Sequence, residues 1–156
     1  MEVINQRMTA LIDRPIVVFL IGMRINHLWK IHQWWPVATA MPRMLKELAA
    51  DKSSGYLSGE SWYGRTTLMV QYWESFDALE RYAQNRNQAH LPAWAKFNKR
   101  IGKTGDVGIW HETYEIAPGK YECIYHNMPP FGLGEVGSLV EAINARAGAR
   151  GRLQRT

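Results

Sequence analysis

PIVVFLIGMRI (residues 15–25) is the stretch on which the fold turns. With a period of two, Val17, Phe19, Ile21 and Met23 point one way and Ile16, Val18 and Leu20 the other. Both faces are apolar and rich in β-branched residues, so the segment reads as a buried strand that needs cover on each side. NHLWKIHQWW (26–35) follows without a clean period and reads as a ring-rich loop. From Pro36 onward, Val37, Met41, Met44, Leu45 and Leu48 recur at helical spacing on one stripe. Pro42 either kinks that helix or places its start near Met41.

Downstream the punctuation is sharper. Gly55 opens a strand, YLSGESWY, and the pair Gly64-Arg65 suggests a two-residue type II′ turn into a second strand, TTLMVQYW. Ser75 is placed to cap a helix with Asp77 in its first turn and Phe76, Leu79, Tyr82 and Ala83 inward. Another helix is predicted with Pro92 in its first turn, Leu91, Trp94, Phe97 and Ile101 as its stripe, and Gly102 at its end. DVGIWHETYEI then reads as a strand, and Pro118-Gly119 as positions i+1 and i+2 of a type II turn leading to KYECIYHNM. Residues 138–146 suggest a short final helix.

The order β-α-β-β-α-(α)-β is the split βαβ layout of a ferredoxin-like α+β fold, an antiparallel sheet with helices on one face. The helices cover one side of the apolar strands. A second copy of the sheet is the simplest cover for the other, so a homodimer is expected. At 156 residues there is room for one ordinary core. The expected division is a poorly ordered lead-in over 1–14, one domain over 15–146 and a basic flexible tail over 147–156.

Composition narrows the function classes. Residues 141–156 carry four Arg against one Glu, leaving only +2 of the total +5 for the other 140 residues. A basic Gly/Ala-rich end is more often a solubilising tail than a nucleic-acid arm, so no nucleic-acid partner is expected. The single cysteine, Cys123, excludes an internal disulfide. The longest apolar run, 16–23, is too short for a bilayer span and lacks a signal-peptide cleavage site. A cytoplasmic protein with no membrane partner is the expectation.

The segment TLMVQYWESFDALERYAQNRNQAHLPAWAKF (67–97) resembles the antibiotic-biosynthesis monooxygenase superfamily of dimeric α/β barrels: a strand ending in Trp, a Ser-capped helix, then a His before a second helical segment. That superfamily includes cofactor-free quinone-forming oxygenases and haem-degrading monooxygenases. With RINHLWKIHQWWPVATAMPRML, HLPAWAKFNKRIG, GDVGIWHETY and NMPPFGLG, the chain is more closely similar to a small monooxygenase-like family known from a fumagillin-pathway oxygenase. The likeness spans roughly residues 8–137. It implies that the Trp ending the third strand corresponds to Trp73. It also implies that the haem-ligating His of the haem-degrading branch corresponds to His90, at a longer separation here. Asn26 is the nearest match to that branch's pocket Asn.

Several residues then compete for chemical roles. His90 precedes a helix whose partial positive charge favours neutral imidazole, suited to a base or an iron ligand; the plainer reading is a helix-entry residue bonded to backbone. His111, mid-strand in IWHETY, is the second candidate for proton transfer or ligation, against a satisfied core histidine. Arg24, ending the buried strand, has the chemistry to meet a carboxylate or enolate. Only one of Tyr72 and Trp73 can face the helices. A pocket bounded by that ring, His90, Trp94, Asn26 and Trp29 is expected, with the 26–35 loop as its lid. Phosphate-cradling, HExxH and G-x-S-x-G motifs do not occur. The sequence therefore leaves three readings. The first is a monooxygenase without cofactor acting on an apolar or aromatic small molecule. The second is a haem enzyme of the same fold with a His axial ligand, either a monooxygenase or aldoxime-dehydratase-like. The third is a non-catalytic ligand-binding domain.

Overall fold

The computed structural model describes residues 2–85, 95, 97–99 and 103–154, with positions 43 and 154 described by backbone alone. In chain order the strands are β1 (Ile4–Leu11), β2 (Ile16–Ile25), β3 (Tyr56–Trp62), β4 (Leu68–Trp73), β5 (Val107–Ile116), β6 (Tyr125–Met128) and β7 (Ser138–Glu141). The helices are α1 (Ile31–Ala38), α2 (Ala40–Ala50), α3 (Phe76–Gln84), α4 (Leu133–Val136) and α5 (Ala149–Gln154). The 15–25 run forms β2, an inner strand of an antiparallel sheet ordered β3-β4-β2-β5. This is the split βαβ arrangement, with α1–α2 and α3 on one side.

Register assigns the faces. Val17 pairs with Trp73 and Glu115, Phe19 with Gln71 and Thr113, Ile21 with Met69 and His111. Val17 and Trp73 pack with Leu48, Ala78, Leu79 and Tyr82, so the odd-numbered row of β2 is the helix-facing one. Met23, Ile25 and Val107 continue it beneath Trp34, Val37 and Phe97. Ser75 caps α3 as expected, its hydroxyl accepting from Ala78 N at 3.1 Å. At the Pro118-Gly119 turn, Lys120 N donates to Ala117 O at 3.0 Å, and Gly119 has the positive φ (76°) that position i+2 requires.

Several expectations need correction. The lead-in is no lead-in: β1 is the centre strand of a second, three-stranded sheet ordered β6-β1-β7, with Thr9, Ala10 and Ile12 buried. Its exposed Asn5, Gln6 and Arg7 hide it, because an edge-on small sheet buries only one end of the strand. The tail is also docked. Arg152 in α5 is buried and bonds Glu122 and the carbonyls of Arg146 and Ala147. Residues 138–146 form β7 and a 3-10 turn instead of a helix, because β7 completes the β1 ladder. The ring-rich loop becomes helical from Ile31, with a break at Thr39 between α1 and α2. The β3–β4 connection spans 63–67, and Gly64 has no positive φ, so no two-residue turn forms.

The second sheet changes the account of the face opposite the helices. It packs on Leu57, Tyr72 and Ile116, covering one end of that face from within the chain. Val18, Leu20, Val70 and Trp110 on the same face stay half-buried. Among the described residues no helix is long and apolar enough to cross a membrane.

Candidate functional site

Alternation along β4 sends Met69, Gln71 and Trp73 to the helix side and Val70 and Tyr72 to the other. Trp73 is fully buried, edge-on to Tyr56 (ring centroids 5.5 Å) and tilted against Tyr82 (5.6 Å). Its indole N–H donates to Gln71 Oε1 at 2.9 Å. The Gln71 amide nitrogen in turn faces only the Met69 thioether, a weak acceptor, at 2.9 Å. Gln71 is thus a buried amide whose donor end is poorly matched, one strand from Phe19.

His111 and Thr113 complete this patch from β5, the edge strand, where both are exposed. The His111 imidazole lies 5.7 Å from the Phe19 ring. Since β4 and β5 flank β2 and His111 stands opposite Ile21, two residues on from Phe19, the Gln71 and His111 backbones are about 12 Å apart on a diagonal past Phe19. That is the span of a fused-ring molecule. Chemically the patch offers an aromatic floor, an amide donor on one side and an imidazole on the other.

The remaining sequence candidates divide by location. Tyr72 faces the second sheet, where burial first, then Cys123 and Glu135, push its phenol above its ordinary range. It shares no pocket with Trp73. Arg24 also points away from the helices, its Nη1 donating to Thr66 Oγ1 at 2.8 Å, so it cannot act on a ligand held at His111. Asn26 spends its amide on Gly105 O (2.9 Å), and Trp29 stands 75% exposed at the end of the sheet. His90 and Trp94 lie outside the described residues.

Sequence reasoning passed over a second polar cluster beside Asn26. The Asp106 carboxylate, its side chain 4% exposed, takes His27 Nδ1 and Lys30 Nζ, each at 2.8 Å. The Lys30 hydrogen bond, with that of His27, holds the carboxyl below its usual range against the opposing pull of burial. The partners are 79 and 76 positions apart, so no local pattern signals them. Gln71 was passed over as well, although its alternation with Trp73 is a local signal that places it on the same face.

Two of the concavities lined by described residues lie away from this patch. One, about 320 Å³, lies between Pro15–Val17, Glu74–Phe76 and Glu115–Ala117. The other, about 360 Å³, lies along 140–146. No group of three or more His, Cys, Asp or Glu gathers as a metal site among the described residues.

A protein-family model described as "Monooxygenase af470-like" matches residues 16–133. Monooxygenase af470 of Aspergillus fumigatus is 27% identical over an alignment of 128 positions that covers 76% of this chain and 45% of the relative. The chain therefore spans less than half the length of that curated relative. Among solved structures, an aldoxime dehydratase superposes with a TM-score of 0.66 at 18% identity, over 94% of this chain and 42% of its own. That likeness shows the fold, second sheet included. SnoaB, a cofactor-independent oxygenase from Streptomyces nogalater, superposes at 0.45 with 13% identity, over 64% of this chain and 90% of its own, and adds nothing further.

Proposed function

This chain belongs to the monooxygenase af470-like family, and from that premise we propose that it is an oxygenase for an apolar, aromatic small molecule held across Phe19 on the helix-facing side of the sheet. The observation that carries the reading is the placement of Gln71 and His111 on the two strands that flank Phe19, on the helix-facing side of the sheet. His111 takes a proton from the activated carbon of the substrate, and the Gln71 amide, turned from Met69, donates to the oxyanion that forms. The electron-rich anion then reduces dioxygen. One oxygen atom stays on the carbon as a carbonyl and the other leaves as water, so a CH2 centre supplies all four electrons. Trp73 and Tyr82 close the inner end against solvent.

Haem is the cofactor that the wider fold family raises. His111 is a described histidine that shares the helix-facing side of the sheet with Phe19. It stands exposed on an edge strand, an open position among the described residues that does not enclose a porphyrin. No step is derived through one. A homodimer is proposed through Val18, Leu20, Val70 and Trp110, the part of the opposite face that the second sheet leaves half-buried.

Oxygen uptake with a panel of phenols and polycyclic ketones tests the chemistry. The expected result is uptake with at least one fused-ring substrate, with kcat about 100-fold lower or more in His111→Ala. Uptake unchanged in that variant refutes the assignment. A Soret band after expression with haem precursor, lost in His90→Ala and kept in His111→Ala, replaces it with a haem enzyme ligated by His90.

A further inference from the structure

One end of the main sheet is unlike the rest of the surface. There the β2 end, the 63–67 connection and the start of β5 meet: Ile25 N donates to Arg65 O at 2.8 Å, and Asn26 N to Asp106 O at 3.0 Å. Leu28, Trp29, Ile31, Trp35 and Tyr63 project from this end or the helix beside it, each between 53% and 78% exposed. Isolated exposed apolar residues need no explanation, but five large ones on adjoining segments do.

The segment that carries Leu28 and Trp29 is firmly held. Lys30 and His27 both bind Asp106, the Trp29 ring lies 5.0 Å from His27, and Trp34 Nε1 donates to Leu28 O at 3.0 Å. Its side chains are presented outward on a braced loop. The charge around them has one sign. No Asp or Glu occurs between Asp13 and Glu47, between Glu60 and Glu74, or between Glu80 and Asp106. Those intervals contain the β2 end, α1 and the 63–67 connection, and no acid follows Asp106 in β5 before Glu112. The one acid at this end, Asp106, is buried and already paired, whereas Arg24, Arg65 and Lys103 are exposed and make no ion pair among the described residues.

From this juxtaposition we infer that this end of the protein docks peripherally on an anionic lipid surface. Trp and Tyr rings settle at the headgroup level, Leu28 and Ile31 reach the acyl boundary, and Arg24, Arg65 and Lys103 meet the lipid phosphates. Exposed aliphatic side chains beside the rings favour lipid over nucleic acid, where aromatic stacking is the useful contact. A peripheral surface of this kind needs no membrane-spanning segment. It holds independently of the oxygenase reading.

Co-sedimentation of the full chain with vesicles tests it. We expect binding to phosphatidylcholine/phosphatidylglycerol vesicles at 0.1 M salt, with little on pure phosphatidylcholine and a marked loss at 0.5 M. Trp29→Ser with Trp35→Ser lowers partitioning at least tenfold, and Arg24→Glu with Lys103→Glu lowers it by at least about fivefold per residue. Circular dichroism melts confirm that both double variants fold; the second changes no apolar residue and keeps the test open if the first does not. No binding to anionic vesicles overturns the inference, as does undiminished binding in both variants. Loss of self-association in Trp29→Ser/Trp35→Ser, without vesicle binding by the wild type, assigns the patch to a second copy. Retention on single-stranded oligonucleotide without vesicle binding assigns it to nucleic acid.

Discussion

Replacing Arg152 by Ala tests how firmly the C-terminal segment is built into the fold. The Arg152 side chain is 5% exposed. Its Nε donates to Glu122 Oε1 at 2.6 Å, Nη2 meets the same oxygen, and Nη1 donates to the carbonyls of Arg146 and Ala147 at 2.9 Å each. Breaking a fully buried pair costs about 3–5 kcal/mol, and losing an exposed one under about 1 kcal/mol. Glu122 is 32% exposed and rehydrates when its partner goes, which places the pair near ~2 kcal/mol. The two carbonyls lose a charged donor, at about 1 kcal/mol net for both once water reaches them. The sum is about 3 kcal/mol, or roughly 6–12 °C in Tm for a chain of this size. Arg152→Lys keeps the charge without the planar fork and should lose about half as much. Thermal melts followed by far-ultraviolet circular dichroism measure this, with exposed Arg150→Ala as the control. An Arg152→Ala variant melting within 2 °C of wild type refutes the docking of this segment.

Light scattering at micromolar concentration should give about 36 kDa, twice the 18.0 kDa chain, with Leu20→Glu falling to the monomer mass; a monodisperse wild-type monomer refutes the proposed interface. Gly22→Ala should destabilise by about 3 kcal/mol or more, because the added Cβ would stand 2.0 Å from Thr67 O and 2.7 Å from Trp110 Nε1. Normal melting of that variant would show that β2 and β4 lie further apart. The Asp106 carboxyl is depressed in the folded state, so its contribution is fully present above the ordinary carboxyl value of 3.8 and is lost as pH falls through the lower folded value. Asp106→Asn should therefore flatten the acid limb of stability below about pH 4, and an unchanged limb counts against the His27–Asp106–Lys30 cluster.

How much of the fold was readable depends on whether a segment's partner is local. The two-sided apolar run 16–25, the Ser75 cap and the Pro118-Gly119 turn each carry their own instruction, and each forms as read. Strand β1 carries none. Its exposed Asn5, Gln6 and Arg7 look like coil, and it is ordered by β6 and β7 more than 110 positions away, with Tyr121 OH bonding Ile12 N at 2.7 Å. The C-terminal Arg-rich segment misled for the same reason. Composition suggested a solvated tail, but one Arg in it finds Glu122, a partner that no spacing rule identifies.

The site divides along the same line, as the two candidates Arg24 and His111 show. Both sit on strands that flank one another, and sequence spacing does not say which residue of β5 lies opposite which of β2. The register does: Arg24 pairs with Gly108 and Ile21 with His111. Residues paired across antiparallel strands share a face, so Arg24, an even-numbered residue of β2, and His111, an odd-numbered one of β5, fall on opposite faces. A slip of one residue would bring them together and would also send Ile109 and Val107 away from the Met23 cluster they fill. The apolar packing that fixes the register therefore also decides the chemistry. It gives His111 to the helix side with Phe19 and Gln71, and leaves Arg24 free for the charged end of the sheet.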